Sequence, residues 1–243
     1  MKIISWNVNS IRARIESILT VIKEYSPDVL LLQETRVDDP QFPSEIFEDF
    51  GYNIAINGQK GRNGVAIFSK YILEDVNKDF CEEARYIEAF TGGIFVASVY
   101  VPNGQMIGAE QYYYKLDFLR DLKDKLLAFT DDIFVAGGDF NVAPHACDAP
   151  SPDYDGIMCS EAERNLLNDI RDSGFSDILE KEGLTWWDYR RPSNFKNDIG
   201  FRIDHFYLSQ KASGVFNNGN VLRFARELPR PSDHAPIMCE ITI

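Results

Sequence analysis

The chain has 243 residues, of which 44% are hydrophobic and 13% aromatic, enough apolar mass for a sizeable core, and this excludes intrinsic disorder. Its longest apolar runs, VLLL and IFVA, fall far short of the ~18 residues that a membrane-spanning helix requires. A net charge of −13 argues against a non-specific polyanion binder, although local charge and bound cations decide what any one cleft attracts.

The N-terminus enters a strand at once, over residues 2–6 (KIISW), with no basic or extended apolar stretch before it. That pattern predicts no secretory signal and a cytoplasmic location. Residues 13–25 place Ile15, Ile18, Leu19 and Ile22 at the spacing of an amphipathic helix, and SPDVLLL then gives a loop and a buried strand through Leu32. Strands are predicted at 53–57, 64–69 and 94–101, and a helix at 110–129, where Leu116, Leu119, Leu122, Leu126 and Phe129 share one face. A strand at 133–137 leads into a long surface loop at 143–159, whose three prolines and several turn formers break regular structure. A helix at 160–173 and strands at 203–209 and 235–243 complete the chain.

No Pro/Gly/Ser-rich linker divides this alternation, so residues 1–243 read as a single α/β domain. SWNVNS near the start faintly echoes GDFNVAP in the middle, which suits two similar α/β halves packed sheet against sheet. Four scattered cysteines without a CxxC pair fit reduced thiols, not a zinc site or a disulfide framework. A monomer is expected, because no surplus apolar stripe asks for a partner.

The conspicuous polar residues share one property: they lie where apolar strands end or begin. Asn7 and Asn9 follow IISW, Glu34 follows VLLLQ, Tyr100 lies in ASVYVPNG, and Asp139 and Asn141 follow FVAGG. Asp204 and His205 open one later strand, and Asp233 and His234 precede the last. Singly, each is ordinary turn chemistry. Together, on one rim, they would make a strongly negative hole unless a cation filled it. Oxygen donors without cysteine or paired-histidine spacing point to Mg²⁺ or Mn²⁺. Gly137 and Gly138 are expected to clear the approach to Asp139.

The segments SWNVNSIRAR, LLLQETR, GRNGVAIFSK, SVYVPNG, VAGGDFNVAP, TWWDYR, GFRIDHFYLS and PSDHAPI occur in the order and spacing of the exonuclease III family. The chain thus resembles the apurinic/apyrimidinic (AP) endonucleases of the endonuclease/exonuclease/phosphatase superfamily, over essentially its whole length. GDFN and SDH point to the superfamily; YVPNG and GFRIDH narrow it. The resemblance implies a four-layer α/β sandwich, two mixed sheets face to face and flanked by helices. It implies a Mg²⁺-dependent (or Mn²⁺-dependent) DNA-repair nuclease that cuts the phosphodiester 5′ to abasic sites in duplex DNA, with 3′–5′ exonuclease and 3′-end trimming. The alternatives are a superfamily phosphatase or phosphodiesterase on small or lipid phosphates, and an inactive nucleic-acid-binding relative.

By the same resemblance, Glu34 is the main metal ligand, with Asn7 close by and Asp233 acting directly or through water; Asp139 and Asn141 are further candidates. Asp139 acts on the attacking water as base, or on the leaving group as acid. Asn141 holds the water or a phosphate oxygen, and Tyr100 donates its phenolic O–H. His234 serves as an imidazolium supported by Asp204. Asn9, Arg36, Asn63, Gly64, Asn103, Phe201 and Arg202 fall where the family contacts duplex DNA, Phe201 standing where relatives usually carry tryptophan. Trp186 and Trp187 are expected in the core or scaffold, and His145 in solvent. Lys60, Arg62, Arg190, Arg191, Lys196 and Arg202 are expected to form a basic strip on the site face, with acids elsewhere.

Overall fold

β1 (Lys2–Asn7) leads through α1 (Ile11–Tyr25) to β2 (Val29–Gln33), which lies beside it in parallel. All five residues of β2 are buried, as a strand covered on both faces must be. α1 stops at Ser26, whose left-handed conformation turns its N–H onto the Ile22 carbonyl at 2.8 Å. Next come α2 (Ser44–Glu48), β3 (Asn53–Asn57), β4 (Val65–Ser69), β5 (Glu74–Asn77), β6 (Tyr86–Thr91) and β7 (Ile94–Tyr100). α3 (Glu110–Leu126) joins β7 to β8 (Phe134–Asp139), again in parallel. α4 (Glu161–Asp172) opens with a capping box between Ser160 and Glu163. It is followed by β9 (Ser176–Asp177), β10 (Asp204–Leu208), β11 (Phe216–Val221) and β12 (Ile237–Ile241).

The computed structural model describes residues 1–151, 153–180 and 182–243, so Pro152 of the expected 143–159 loop lies outside the described residues. Its strands form two six-stranded mixed sheets, ordered β11-β12-β1-β2-β4-β3 and β5-β6-β7-β8-β10-β9. Between the sheets pack Ile3, Val29, Leu31, Ile67, Val96, Val135, Phe206 and Ile237. Ile18, Val21 and Ile22 of α1 cover the outside of the first sheet, and Leu119, Leu122, Leu167 and Ile170 of α3 and α4 cover the second. This is the four-layer α/β sandwich. No described helix is long and apolar enough to cross a membrane.

Four strands escape the sequence pattern. β5 and β11 are polar edge strands (EDVN and FNNGNV), and β9 has two residues. β6 is internal, but its apolar run is broken by Glu88, which is buried and satisfied by Lys125 Nζ at 2.6 Å and Asn77 Nδ2 at 3.0 Å. The glycines of β8 also require correction. A Cβ on Gly138 would lie 1.9 Å from the Val99 carbonyl oxygen of β7, and one on Gly137 would lie 2.5 Å from the Phe206 ring. These residues let β8 approach its neighbours; their role is packing, not clearing the way to Asp139.

Candidate active site

Strand register builds the rim. In the second sheet Asp139 pairs with Tyr100 on one side and Asp204 on the other, so three expected site residues form one row across β7, β8 and β10. In the first sheet Asn7 pairs with Gln33 at the ends of the parallel strands, and Glu34 is the next residue. Asn7 joins the two sheets: its Nδ2 donates to Glu34 Oε1 and to Asp139 Oδ2, each at 2.9 Å. The two echoing segments therefore end facing strands, β1 and β8.

The backbone here is held in uncommon conformations. Half of the twelve non-glycine residues with positive φ among the described residues lie at this rim: Asn9, Ser10, Glu34, Arg36, Asn63 and Asn141. Each such residue costs on the order of 1–3 kcal/mol and persists only where its surroundings hold it. Glu34 (φ 51°) is held on both sides: Ser10 N–H reaches the Glu34 carbonyl at 2.8 Å, and Thr35 N–H reaches the Gly64 carbonyl at 3.0 Å. A Cβ at Gly64 would lie 2.2 Å from Thr35 Oγ1, so its glycine is required by close approach.

Asp139 is almost fully buried. Its Oδ1 accepts the Asn141 N–H at 2.9 Å, and its Oδ2 lies 3.7 Å from His234 Nε2. Burial lifts its carboxyl to about 7; His234 opposes the rise, while Asp204 and Glu34 add to it. His234 Nδ1 meets Asp204 Oδ1 at 3.1 Å and Oδ2 at 2.9 Å. Burial would lower this imidazole, but the carboxylates of Asp204 and Asp139 outweigh it and raise it to about 10. His234 is therefore a cation at neutral pH. Tyr100 is pushed well above the ordinary phenol range by burial and by Glu34 and Asp139, so it keeps its proton. The Arg85 guanidinium lies over the Tyr100 ring, 4.8 Å from its centroid.

Glu34 Oε2 accepts from Arg36 Nε at 2.9 Å, which puts Arg36 beside the proposed metal ligand. Asp233 is engaged at both oxygens, by Asn9 Nδ2 at 2.9 Å and Trp186 Nε1 at 3.0 Å. Asn141 donates to the Val101 carbonyl at 2.9 Å and accepts from Asn103 Nδ2 at 3.1 Å. Donor atoms of Glu34, Asp139 and His234 all lie within 4.8 Å of one another. With His234 protonated, the available donors are the carboxylate oxygens of Glu34 and Asp139, a set that fits a hard cation. Asn7 Oδ1 is occupied by the Asn9 N–H at 3.1 Å, and its Nδ2 faces the two carboxylates. In this arrangement Asn7 bridges the two carboxylates, and each Asp233 oxygen carries one hydrogen bond, from Asn9 or Trp186.

Two expectations fail outright. Arg202 has no exposed side-chain surface; it makes paired bonds with Asp148, at 2.8 and 3.1 Å, and a third with Asp177 at 2.7 Å. It anchors the 143–159 loop to β9 and belongs neither to the DNA-contacting set nor to the basic strip. His205, alternating with Asp204 along β10, points away from the rim and bonds Asp177 at 3.0 Å and the Val142 carbonyl at 2.8 Å. Phe201 is mostly buried, against Trp186 and Tyr154 with centroids at 5.7 and 5.4 Å. Asn63 is buried, and its carbonyl receives the Arg36 N–H at 2.9 Å. Asn103 is exposed and its Nδ2 donates to Asn141. Trp187 is in the core, and His145 is paired with Glu180 at 2.9 Å, not simply solvated.

Sequence reading missed four supporting residues. Trp186 is half-buried at the rim and holds Asp233, not merely part of the scaffold. Thr185 Oγ1 receives the N–H groups of Ile203 and Asp204, each at 3.1 Å, fixing the start of β10. Lys115, fully buried and ion-paired with Glu163, donates to the Asn141 carbonyl at 2.6 Å and so holds the Asn141 turn from behind. Arg85 backs Tyr100. Only Lys115 left a signal: a lysine among the apolar residues of a helix face.

Residues 4–234 match the model of the Endonuclease/Exonuclease/phosphatase family. The chain belongs to that family. Exodeoxyribonuclease III of Haemophilus influenzae is 32% identical over 266 aligned positions, covering 99% of each chain. The structure of an AP endonuclease from Archaeoglobus fulgidus superposes with a TM-score of 0.95 at 35% identity, covering both chains in full. That of the 3′ phosphatase NExo from Neisseria, bound to a product DNA hairpin, superposes with a TM-score of 0.96 at 33% identity, also over both full chains. The family is one of metal-dependent nucleases, and an acidic cluster that includes Glu34 and Asp139 is present at the rim.

Proposed function

We propose that this chain is a DNA-repair nuclease that cuts the phosphodiester 5′ to abasic sites in duplex DNA and also trims 3′ ends, with Mg²⁺ or Mn²⁺ as its ion. The observation that carries this reading is the Asn7 bridge between Glu34 and Asp139, beside a protonated His234: a cation site and a general acid–base group share one pocket. The full-length likeness to exodeoxyribonuclease III, an AP endonuclease and a 3′ phosphatase supports one phosphate-ester hydrolysis applied to several substrates.

When bound, the ion supplies Lewis acidity toward a phosphoryl oxygen and offsets the carboxylate charge. Glu34 would hold it, oriented by Asn7, which leaves Asp139 for the proton. Asp139, raised to about 7, can take or return a proton at neutral pH, and Asn141 fixes its orientation through the backbone bond to Oδ1. His234 presents Nε2–H, with Nδ1 committed to Asp204, and Tyr100 presents its phenolic O–H. Two donors near one carboxylate suit the charge that develops on phosphate oxygens. The aromatic wall of Phe201 and Trp186 supports an extrahelical sugar packing beside them. We read residues 1–243 as one monomeric domain.

A labelled duplex with one tetrahydrofuran abasic analogue tests this. Nicking 5′ to the analogue with Mg²⁺, absent with EDTA, is expected. Intact duplex under both conditions would overturn the reading.

A further inference from the structure

Away from the catalytic carboxylates, Arg14, Lys196, Arg226 and Arg230, with Tyr189, Pro192, Phe195 and Pro231, line a cavity of roughly 430 Å³. No acidic residue lines it, although the chain carries net charge −13. None of the four cations makes a carboxylate ion pair among the described residues.

Arg226 is 9% exposed, and its Nε has no hydrogen-bond partner; the buried Nε of Arg14 has none either. Their remaining bonds go to backbone carbonyls: Arg226 to Ser232, and Arg14 to Asn9 at 2.8 Å and Pro231 at 3.1 Å. Burial lowers both guanidinium groups, Arg14 lowers Arg226 further, and Arg36 and Arg230 lower Arg14; Asp233 opposes this in both, but its oxygens already belong to Asn9 and Trp186. Buried guanidinium donors without an anion are costly, and the faces of Phe195 and Trp187, 5.4 and 6.0 Å from the Arg226 guanidinium, leave its Nε–H without an acceptor.

We propose that this cavity is a phosphate subsite, which receives a backbone phosphate of the substrate DNA beyond the one that is cleaved. The inference rests on the nuclease reading above and adds to it a second point of grip. Forked guanidinium donors match phosphate oxygens, and Tyr189, 59% exposed at the cavity wall, offers a face to the adjoining sugar. The wall is continuous with the active site: Pro231 and Ser232 precede Asp233 and His234, and Arg14 holds the carbonyl of Asn9, whose side chain holds Asp233. Occupancy here would orient the duplex relative to the rim.

The test uses the exposed members, whose loss spares the fold: the double variant Lys196→Ala/Arg230→Ala. Binding to the tetrahydrofuran duplex is measured in EDTA across a salt series, and turnover in Mg²⁺. Loss of one phosphate contact should reduce the slope of log K against log salt by about 0.9 and weaken binding roughly tenfold at moderate salt. KM should rise, with kcat unchanged. A variant with the wild-type slope, affinity and KM would overturn the subsite and leave the nuclease reading intact. Failure of the wild-type protein to bind or nick the duplex would overturn both.

Discussion

Asp204 Oδ2 lies 2.9 Å from His234 Nδ1, and the two residues come from different sheets: Asp204 opens β10, while His234 precedes β12. The pair closes the rim where the two halves meet. It also sets the proton state of His234, because burial alone would leave the imidazole neutral.

Asp204→Asn should therefore lower the His234 pKa steeply. The sign follows from the charge: removing the carboxylate that most stabilises the imidazolium leaves burial opposed only by Asp139 and Asp233. In the metal-free wild type, ¹⁵N spectra should show a ring still protonated at pH 8 and titrating near 10. In the variant it should deprotonate at a much lower pH. Unchanged titration would mean that Asp204 does not support the charge.

Asp139→Asn should reduce kcat by at least ~10³-fold, the scale expected when a principal acid–base or electrostatic group is removed. KM should change little, since the duplex is gripped elsewhere. Near-normal turnover would take Asp139 out of the chemistry.

Gly138→Ala should destabilise the protein by about 3 kcal/mol or more, an overpacking effect, because its methyl would meet the Val99 carbonyl at 1.9 Å. Urea denaturation measures this. An alanine accepted at no cost would contradict the close approach of β7 and β8.

Acid should unfold the protein partly through Asp177. Burial pushes this carboxyl up, but His205 and Arg202 outweigh burial and hold it well below the usual carboxylate range. A depressed folded pKa contributes stability that is complete above the unfolded value of about 3.9 and is lost as pH falls through the folded value. Asp177→Asn should cost about 3–5 kcal/mol at pH 7, because Arg202 is left buried with one partner fewer. It should also flatten the acid limb of the stability profile. A profile identical to wild type below pH 4 would rule this coupling out.

Local pattern made much of the fold legible. The strand at 53–57 was readable to the residue, and the three long helices to within a few residues, because their apolar spacing is strictly periodic. β6 was hidden by Glu88, whose burial depends on Lys125 of α3 and Asn77 of β5, partners that no local window contains. Arg202 was misplaced for the same kind of reason. A basic residue near a site resembles a phosphate contact until Asp148 and Asp177 are seen enclosing it.

The sequence by itself determined the layered α/β architecture and the roster of polar residues at strand ends, since both are written in local periodicity and in motif order. Only the tertiary structure decided which of those side chains share a pocket. It set Asn7 between two carboxylates, turned His205 away from the rim that Asp204 faces, buried Arg202, and left the guanidinium groups of Arg14 and Arg226 without an anion. The physical reason is that charge and hydrogen bonding act across space. A side chain's proton state and role depend on neighbours that the chain brings together from tens or hundreds of residues away.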